Sequence, residues 1–454
     1  MAIRLVGCGH AAGARTPVFH IAWLRRLWRV PTLSGIRVYS RSFADRLCGF
    51  VRVSYYICAF ALPWGNANKR KASSYMSDQT SPQFVPGLAG IIAAQTRLSS
   101  VDGQAGELII AGFPVEEIAA QASFEELLYL LWHDRLPTTQ QLHELDTALK
   151  AQRALPEATL ALLRAAAAAG ADTMDALRMA AATVSLGVAN DNRAQATALV
   201  ARFPTIVAAY WRLLAGQEPV APRDDLAHAA NYLYMLSGEA PGAERARGLE
   251  TYLNTVSDHG LNASTFTARV IISTESDMVS AITGAIGALK GPLHGGAPGP
   301  ALDMVFEIKT PDRAEAVMRG KLDRGERLMG FGHRVYKVRD PRADVLSVAA
   351  ERMYRADGDM ELFNLTREVE QTAVGLLDEY KPGRNLRTNV EFYTALLLHG
   401  LGLETALFTP TFAVGRVAGW TAHCFEQLEN NRIFRPQSVY VGERGRRWVE
   451  LTER

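Results

Sequence analysis

The chain has 454 residues, 48% hydrophobic and 21% charged, a composition ordinary for a soluble globular protein and long enough for roughly two or three globular units. The net charge of +2 hides a split. Residues 1–75 hold 12 Lys or Arg against one acidic residue, Asp45, for a net of +11, and the rest carries 37 basic against 46 acidic residues, net −9. A net acidic globular part argues against a nucleic-acid role.

The basic segment 1–75 is read as an extension outside the fold. It is Arg-rich and acid-poor, as an organellar transit peptide would be. Its best apolar run, Val53 to Trp64, is too short to span a bilayer. The preferred reading is an upstream extension that is not part of the working protein, with Met76 as the natural start. Three of the four cysteines (Cys8, Cys48 and Cys58) lie in this segment, and only Cys424 lies beyond it. The remainder thus has no disulfide framework and no CxxC metal spacing, which suits a reducing, cytoplasmic compartment.

From Phe84 on, helical periodicity dominates and predicts a nearly all-α protein. Glu107–Ala111 reads as a short strand. Ser123 followed by Phe124-Glu125-Glu126 reads as a capping box. Phe124, Leu127, Leu128, Leu131 and Trp132 then recur at helical spacing until Pro137 stops the run. Ala-rich stretches at 158–169 and 174–188 favour helix. Thr310-Pro311 opens another helix with a cap and a first-turn proline. Ser438–Val441 reads as a second strand. Three Gly/Pro-rich breaks interrupt the helices: Gly291 to Pro298, Met329 to His333, and Lys381-Pro382-Gly383. On a helical scaffold, such loops are where chemistry and hinges tend to lie.

Three of the ten histidines, His259, His294 and His333, lie in or beside these loops or in similar settings. A lone histidine is more often a hydrogen-bonded core residue, but glycine-rich turns let the backbone approach a ligand closely. No HxxxH pair or cysteine supports a metal site. Taken singly, Arg342, Arg416 and Arg435 read as solvated surface charges. Guanidinium forks are nevertheless the natural clamp for a small dicarboxylate. Gly330-Phe331-Gly332 follows no predicted strand and is not a dinucleotide fingerprint. Glu391, among apolar and aromatic neighbours, reads either as a charge favoured at a helix start or as a partly desolvated general base.

Five stretches taken together resemble the citrate synthase family, in its shorter bacterial type. They are SDHGLNASTFTARV (257–270), GPLHGGAP (291–298), GFGHRVYKVRDPR (330–342), TNVEFY (388–393) and FAVGRVAGW (412–420). The similarity runs from about Phe84 to about Gly442. It implies an all-α fold of two domains: a large one from 76–295 and 403–454, and a smaller mobile one at 296–402. It implies a condensation of acetyl-CoA with oxaloacetate followed by hydrolysis of citryl-CoA. Glu391 stands where the family usually has the Asp that removes the acetyl α-proton. His294 would stabilise the enolate. His333 would polarise the keto group and protonate the new alkoxide. His259, Arg342, Arg416 and Arg435 match ligands of oxaloacetate and citrate, with Arg435 donated across a homodimer interface. Leu328, Met329, Gly330, Phe331 and Gly332 match the adenine-binding loop, and Lys337 falls where a basic residue meets coenzyme A phosphate. Acetyl-CoA would be a co-substrate, with no permanently bound cofactor, no nucleic acid and no membrane. A 2-methylcitrate synthase using propionyl-CoA is the close alternative, and a non-catalytic CoA-binding paralogue the more distant one. A second departure from the family is Ala111-Gly112-Phe113, in place of its frequent Arg-Gly-Tyr.

Overall fold

A small antiparallel sheet leads into a helical body. The computed structural model describes residues 84–295 and 299–454, within the unit Pro82–Arg454. The basic extension 1–75 and residues 296–298 of the first Gly/Pro-rich break lie outside the described residues. Strands β1 (Ser99–Asp102), β2 (Glu107–Ile110) and β3 (Phe113–Pro114) pair in sequence order. The predicted strand 107–111 loses its last residue to a turn. Ala111 (φ 46°) and Gly112 (φ 89°) form the two-residue loop between β2 and β3. Both residues are left-handed, as the favoured hairpin turn requires. At the other turn, Asp102 Oδ1 accepts the N–H groups of Gln104 and Ala105 at 2.8 and 2.9 Å.

Sixteen α-helices follow among the described residues, so the all-α reading holds. α1 (Val115–Gln121) precedes α2 (Phe124–His133), where Ser123 and Glu126 form the capping box foreseen in the sequence. α2 ends four residues before Pro137, because Asp134 adopts a left-handed cap at φ 58°. α3 (Thr139–Lys150) then leads to α4 (Glu157–Ala168), the first Ala-rich stretch, and α5 (Thr173–Ala182), which covers the second only to Ala182 before a 3-10 turn, Thr183–Leu186. Next come α6 (Asn192–Leu214), α7 (His228–Ser237), α8 (Ala243–Val256), α9 (Ala263–Ile272) and α10 (Met278–Leu289). After them lie α11 (Gly299–Ile308), α12 (Ala314–Asp323), α13 (Pro341–Asp357), α14 (Glu361–Tyr380), α15 (Val390–Gly400) and α16 (Phe408–Glu429). Thr310 begins a 3-10 turn, Pro311–Arg313, ahead of α12, but its hydroxyl makes no capping bond.

The expected strand at 438–441 does not form. That segment is irregular and has no strand partner among the described residues, with Val439 and Val441 68% and 92% exposed. A strand needs a partner edge, and β-propensity alone supplies none.

α16 is the spine of the body. It packs on α9, α6, α8, α10 and α2 and is buried along most of its length, including Trp420 and Cys424. A helix apolar on every side belongs in a core. Two glycines let the end of α8 lie against it. A Cβ at Gly415 would fall 2.8 Å from the Leu253 carbonyl oxygen, and one at Gly419 would fall 2.3 Å from that of Ser257. That close approach brings Arg416 to the loop carrying His259. On the other side, α13 packs on α15, α8 and α1. Among the described residues, no helix is long and apolar enough to cross a membrane.

Candidate active site

Four loops and two helix starts meet around a cavity of about 760 Å³. His259, His294, His333, Arg342, Glu391 and Arg416 all line it, although they are scattered over nearly 160 residues of chain. Its apolar wall includes Leu261, Phe266, Val390, Phe408 and Phe412.

Each histidine is held in a defined state. His333 Nδ1 accepts the backbone N–H groups of Val335 and Tyr336, both at 3.1 Å. Its proton is therefore assigned to Nε2. Burial, and then the nearby Arg342, push its pKa down to about 4. His294 Nε2 lies 3.3 Å from the backbone nitrogen of Ser264, in the first turn of α9, and 2.7 Å from the Ser264 hydroxyl. An N–H aimed at Nε2 makes it an acceptor and assigns the proton to Nδ1. Burial, with Arg416 next, lowers this histidine also to about 4. Asn262 fixes the whole arrangement. It caps α9 through Thr265 N–H at 3.1 Å and accepts the Ser264 hydroxyl at 2.8 Å. His259 lies 3.2 Å from the Tyr336 hydroxyl, and burial holds its pKa well below the ordinary value. At neutral pH the cavity thus presents neutral imidazoles, which donate hydrogen bonds without adding charge.

Glu391 occupies the second position of α15. Burial raises its pKa, Arg342 opposes that, and Asp340 adds to it. The cap residue Asn389 accepts the Glu391 N–H at 3.0 Å and donates its amide to the Gly332 carbonyl at 2.9 Å. One side chain therefore fixes both the backbone at Glu391 and the glycine loop. That loop is also stitched to the start of α15 by Gly332 N–H to Arg387 O (2.7 Å) and Asn389 N–H to Gly330 O (3.0 Å). Gly330 has φ 87°, and a Cβ there would fall 2.8 Å from the Phe392 ring, so only glycine fits.

The two buried arginines differ. Arg342 is paired with Asp340 through both ends of its fork, at 3.0 and 2.7 Å. Arg416 bonds through Nε to the Val256 carbonyl at 2.5 Å and lies 4.5 Å over the Phe412 ring. Among the described residues, no carboxylate comes within ion-pair distance of it. Burial lowers its pKa to about 10, so it stays charged at neutral pH. A buried cation with no counter-ion is a receptor for an anionic group.

The remaining expected residues lie elsewhere. Leu328, Met329, Gly330, Phe331 and Gly332 lead into His333 without lining the cavity, and Lys337 is exposed nearby. Arg435 is exposed on the C-terminal segment, outside the cavity. Sequence reasoning missed Asp340, Tyr336 and Ser264. Asp340 alone left a signal, two residues before Arg342 at a helix start. Among the described residues, no group of three His, Cys, Asp or Glu side chains could hold a metal ion.

An all-α chain that gathers a partly buried carboxylate, neutral histidines and a free guanidinium around one cavity has a make-up suited to an acyltransferase that works through carbon–carbon bond formation. The chain belongs to the citrate synthase family: the model of the citrate synthase C-terminal domain matches residues 87–437. A citrate synthase of Haloferax volcanii is 40% identical over 379 residues, spanning 81% of this chain and 98% of the relative. A 2-methylcitrate synthase of Shewanella oneidensis is 38% identical over 373 residues, spanning 81% and 97%. The crystal structure of citrate synthase from Pyrobaculum aerophilum matches with a TM-score of 0.73 at 39% identity, covering 81% of this chain and 94% of that one. A ternary complex of carboxymethyl coenzyme A and oxaloacetate with citrate synthase from Thermoplasma acidophilum matches with a TM-score of 0.71 at 30% identity, covering 80% and 98%.

Proposed function

We propose that the protein condenses acetyl-CoA with oxaloacetate at this cavity and hydrolyses the citryl thioester to citrate and coenzyme A. The observation that carries this reading is the placement of Glu391, two neutral histidines of fixed tautomer and an unpaired Arg416 around one space. A thioester α-carbon is too weak an acid for a carboxylate alone. Glu391 takes the α-proton while His294 Nδ1–H donates to the thioester oxygen, so charge is neutralised as it forms. Such a donor is worth roughly 3–4 kcal/mol. The enolate carbon then attacks the keto carbon of oxaloacetate, and His333 Nε2–H protonates the resulting alkoxide. Water finally adds to the thioester carbonyl and the thiolate leaves. Arg416, Arg342 and His259 hold the keto acid so that its carbonyl faces the nucleophile. The glycine loop Leu328 to Gly332 and Lys337 would receive the adenine and phosphates of coenzyme A, with no permanently bound cofactor.

The smaller domain, 296–402, would close over the substrates to exclude water. A homodimer would complete the site with Arg435 of a second copy. The exposed C-terminal segment supports this, since Val439, Val441 and Trp448 present apolar surface that one chain leaves uncovered. The buried free thiol of Cys424 is in keeping with a reducing, cytoplasmic compartment.

The test is thiol release from acetyl-CoA with oxaloacetate present. Glu391→Gln should lower turnover by about 10²–10⁴-fold and keep oxaloacetate binding. Wild-type turnover in that variant would refute the base assignment. The 2-methylcitrate synthase relative gives one specific reason to measure propionyl-CoA alongside. One methylene is worth only about 1–3 kcal/mol in an acyl pocket, and a higher kcat/KM for propionyl-CoA would reassign the substrate.

A further inference from the structure

Behind Arg416 lies a buried polar cluster that the proposed reaction does not use. Asp258 is fully buried next to His259. Its Oδ1 accepts His423 Nε2 at 3.1 Å, and its Oδ2 is held by the Ser99 hydroxyl and by Gly260 N–H at 3.4 Å. The state of His423 is fixed from the far side. Arg269 Nη1 donates to its Nδ1 at 3.0 Å, so the proton is assigned to Nε2 and points at Asp258. Arg269 is itself tied to Glu426 (2.5 Å) and Gln427 (3.1 Å), which anchors the chain of bonds.

Buried opposite charges in reach of each other ordinarily pair. Arg416 feels the Asp258 charge directly, and its Nε binds Val256, two residues before Asp258. Gly419, one helical turn beyond Arg416, is where an added Cβ would meet Asp258 Oδ1 at 2.7 Å. Yet the carboxylate is turned to His423 and Ser99, and Arg416 has no acidic partner among the described residues. We propose that His423 and Ser99 are positioning residues that hold the Asp258 carboxylate off Arg416 and so keep its guanidinium free for a substrate carboxylate. This rests on the reading of Arg416 as an oxaloacetate ligand.

The test is a double-mutant cycle read as separate KM values. His423→Leu strips one partner from Asp258, whose carboxylate then swings to Arg416. The oxaloacetate KM should rise roughly tenfold, the scale of one hydrogen bond to a charged group. The acetyl-CoA KM and kcat should stay within about twofold of wild type. His423→Gln offers an amide N–H near the place of Nε2 and should stay within about threefold. Adding Asp258→Asn to His423→Leu removes the competing charge and should restore oxaloacetate KM to within about threefold of wild type. A merely structural cluster would instead give losses that add. The proposal is overturned if the double variant is as poor as His423→Leu or worse, or if both KM values rise together. Should His423→Leu fail to fold, Ser99→Ala with and without Asp258→Asn is read by the same criteria. Arg416→Lys is the separate control. If it leaves the oxaloacetate KM unchanged, the ligand assignment fails. If it raises that KM while the cycle is additive, only the positioning role fails.

Discussion

Opposite shifts of neighbouring groups set the pH behaviour of the cavity. Glu391 must be ionised to act as a base, and burial raises its pKa above the ordinary 4.5. His294 and His333 must be neutral donors, and they stay so down to about 4. The acid limb of kcat/KM should therefore be a single protonation centred above 4.5, measurable from initial rates across pH. A limb near 6.5 would mean that a histidine titrates first. Stability carries its own signature. The unfolded chain binds protons at these histidines near 6.5, while the folded chain resists until about 4. Their neutral state thus costs nothing above 6.5, and stability falls as pH drops from 6.5 towards 4. Thermal unfolding at pH 7 and pH 5 should show this fall, and His333→Asn should make it shallower.

Among the elements, the β1–β2 hairpin contributes more to the site than its size suggests. Ser99 at its start holds the 257–260 loop. Its turn carbonyl, Gly103 O, accepts Lys337 N–H at 2.8 Å, just beyond the residues that fix His333. A Cβ at Gly103 would fall 2.3 Å from the Val335 carbonyl oxygen. Gly103→Ala should therefore shift the loop that donates to His333 Nδ1 and lower kcat by about tenfold or more, since small misplacements are costly in catalysis. Ser123→Ala is the comparison, because it loses the α2 cap and about 1 kcal/mol of stability far from the cavity. Denaturant unfolding with steady-state kinetics should find both variants less stable and only the first slower. Equal kcat in the two would show that the hairpin does not position His333.

At the scale of the whole molecule, the question is which copy supplies Arg435. It is exposed and outside the cavity in its own chain, on a segment tied at its start by Phe434 N–H to Ser273 Oγ and Asn431 Nδ2 to Ser273 O, both at 3.1 Å. If a second copy donates it, two inactive variants should complement each other. In a mixed dimer of Glu391→Gln and Arg435→Ala, one site combines both defects and the other has a native Glu391 with a native Arg435. Co-expression should thus recover about half of the wild-type activity per mixed dimer, on simple counting of intact sites. No recovery in a mixed dimer isolated by two affinity tags would place Arg435 in its own subunit's site.

By itself the sequence determined the helical class, the capping box at Ser123, the two Ala-rich helices and the loops that carry His294 and His333. These are local matters of periodicity, side-chain entropy and turn chemistry, and they are written within a few residues of each other. It erred at Ser438–Val441, where propensity could not reveal the missing partner strand, and at the end of α2, where Asp134 capped the helix ahead of Pro137. Only the tertiary structure decided that six distant side chains share one cavity, that Arg342 is neutralised by Asp340 while Arg416 is not, and which nitrogen of His294 and of His333 carries the proton. Those properties come from burial and from hydrogen bonds between segments far apart in the chain, such as Asn389 to Gly332 and Ser264 to His294. Charge state and proton position depend on what surrounds a group in space, and that is fixed only when the helices pack.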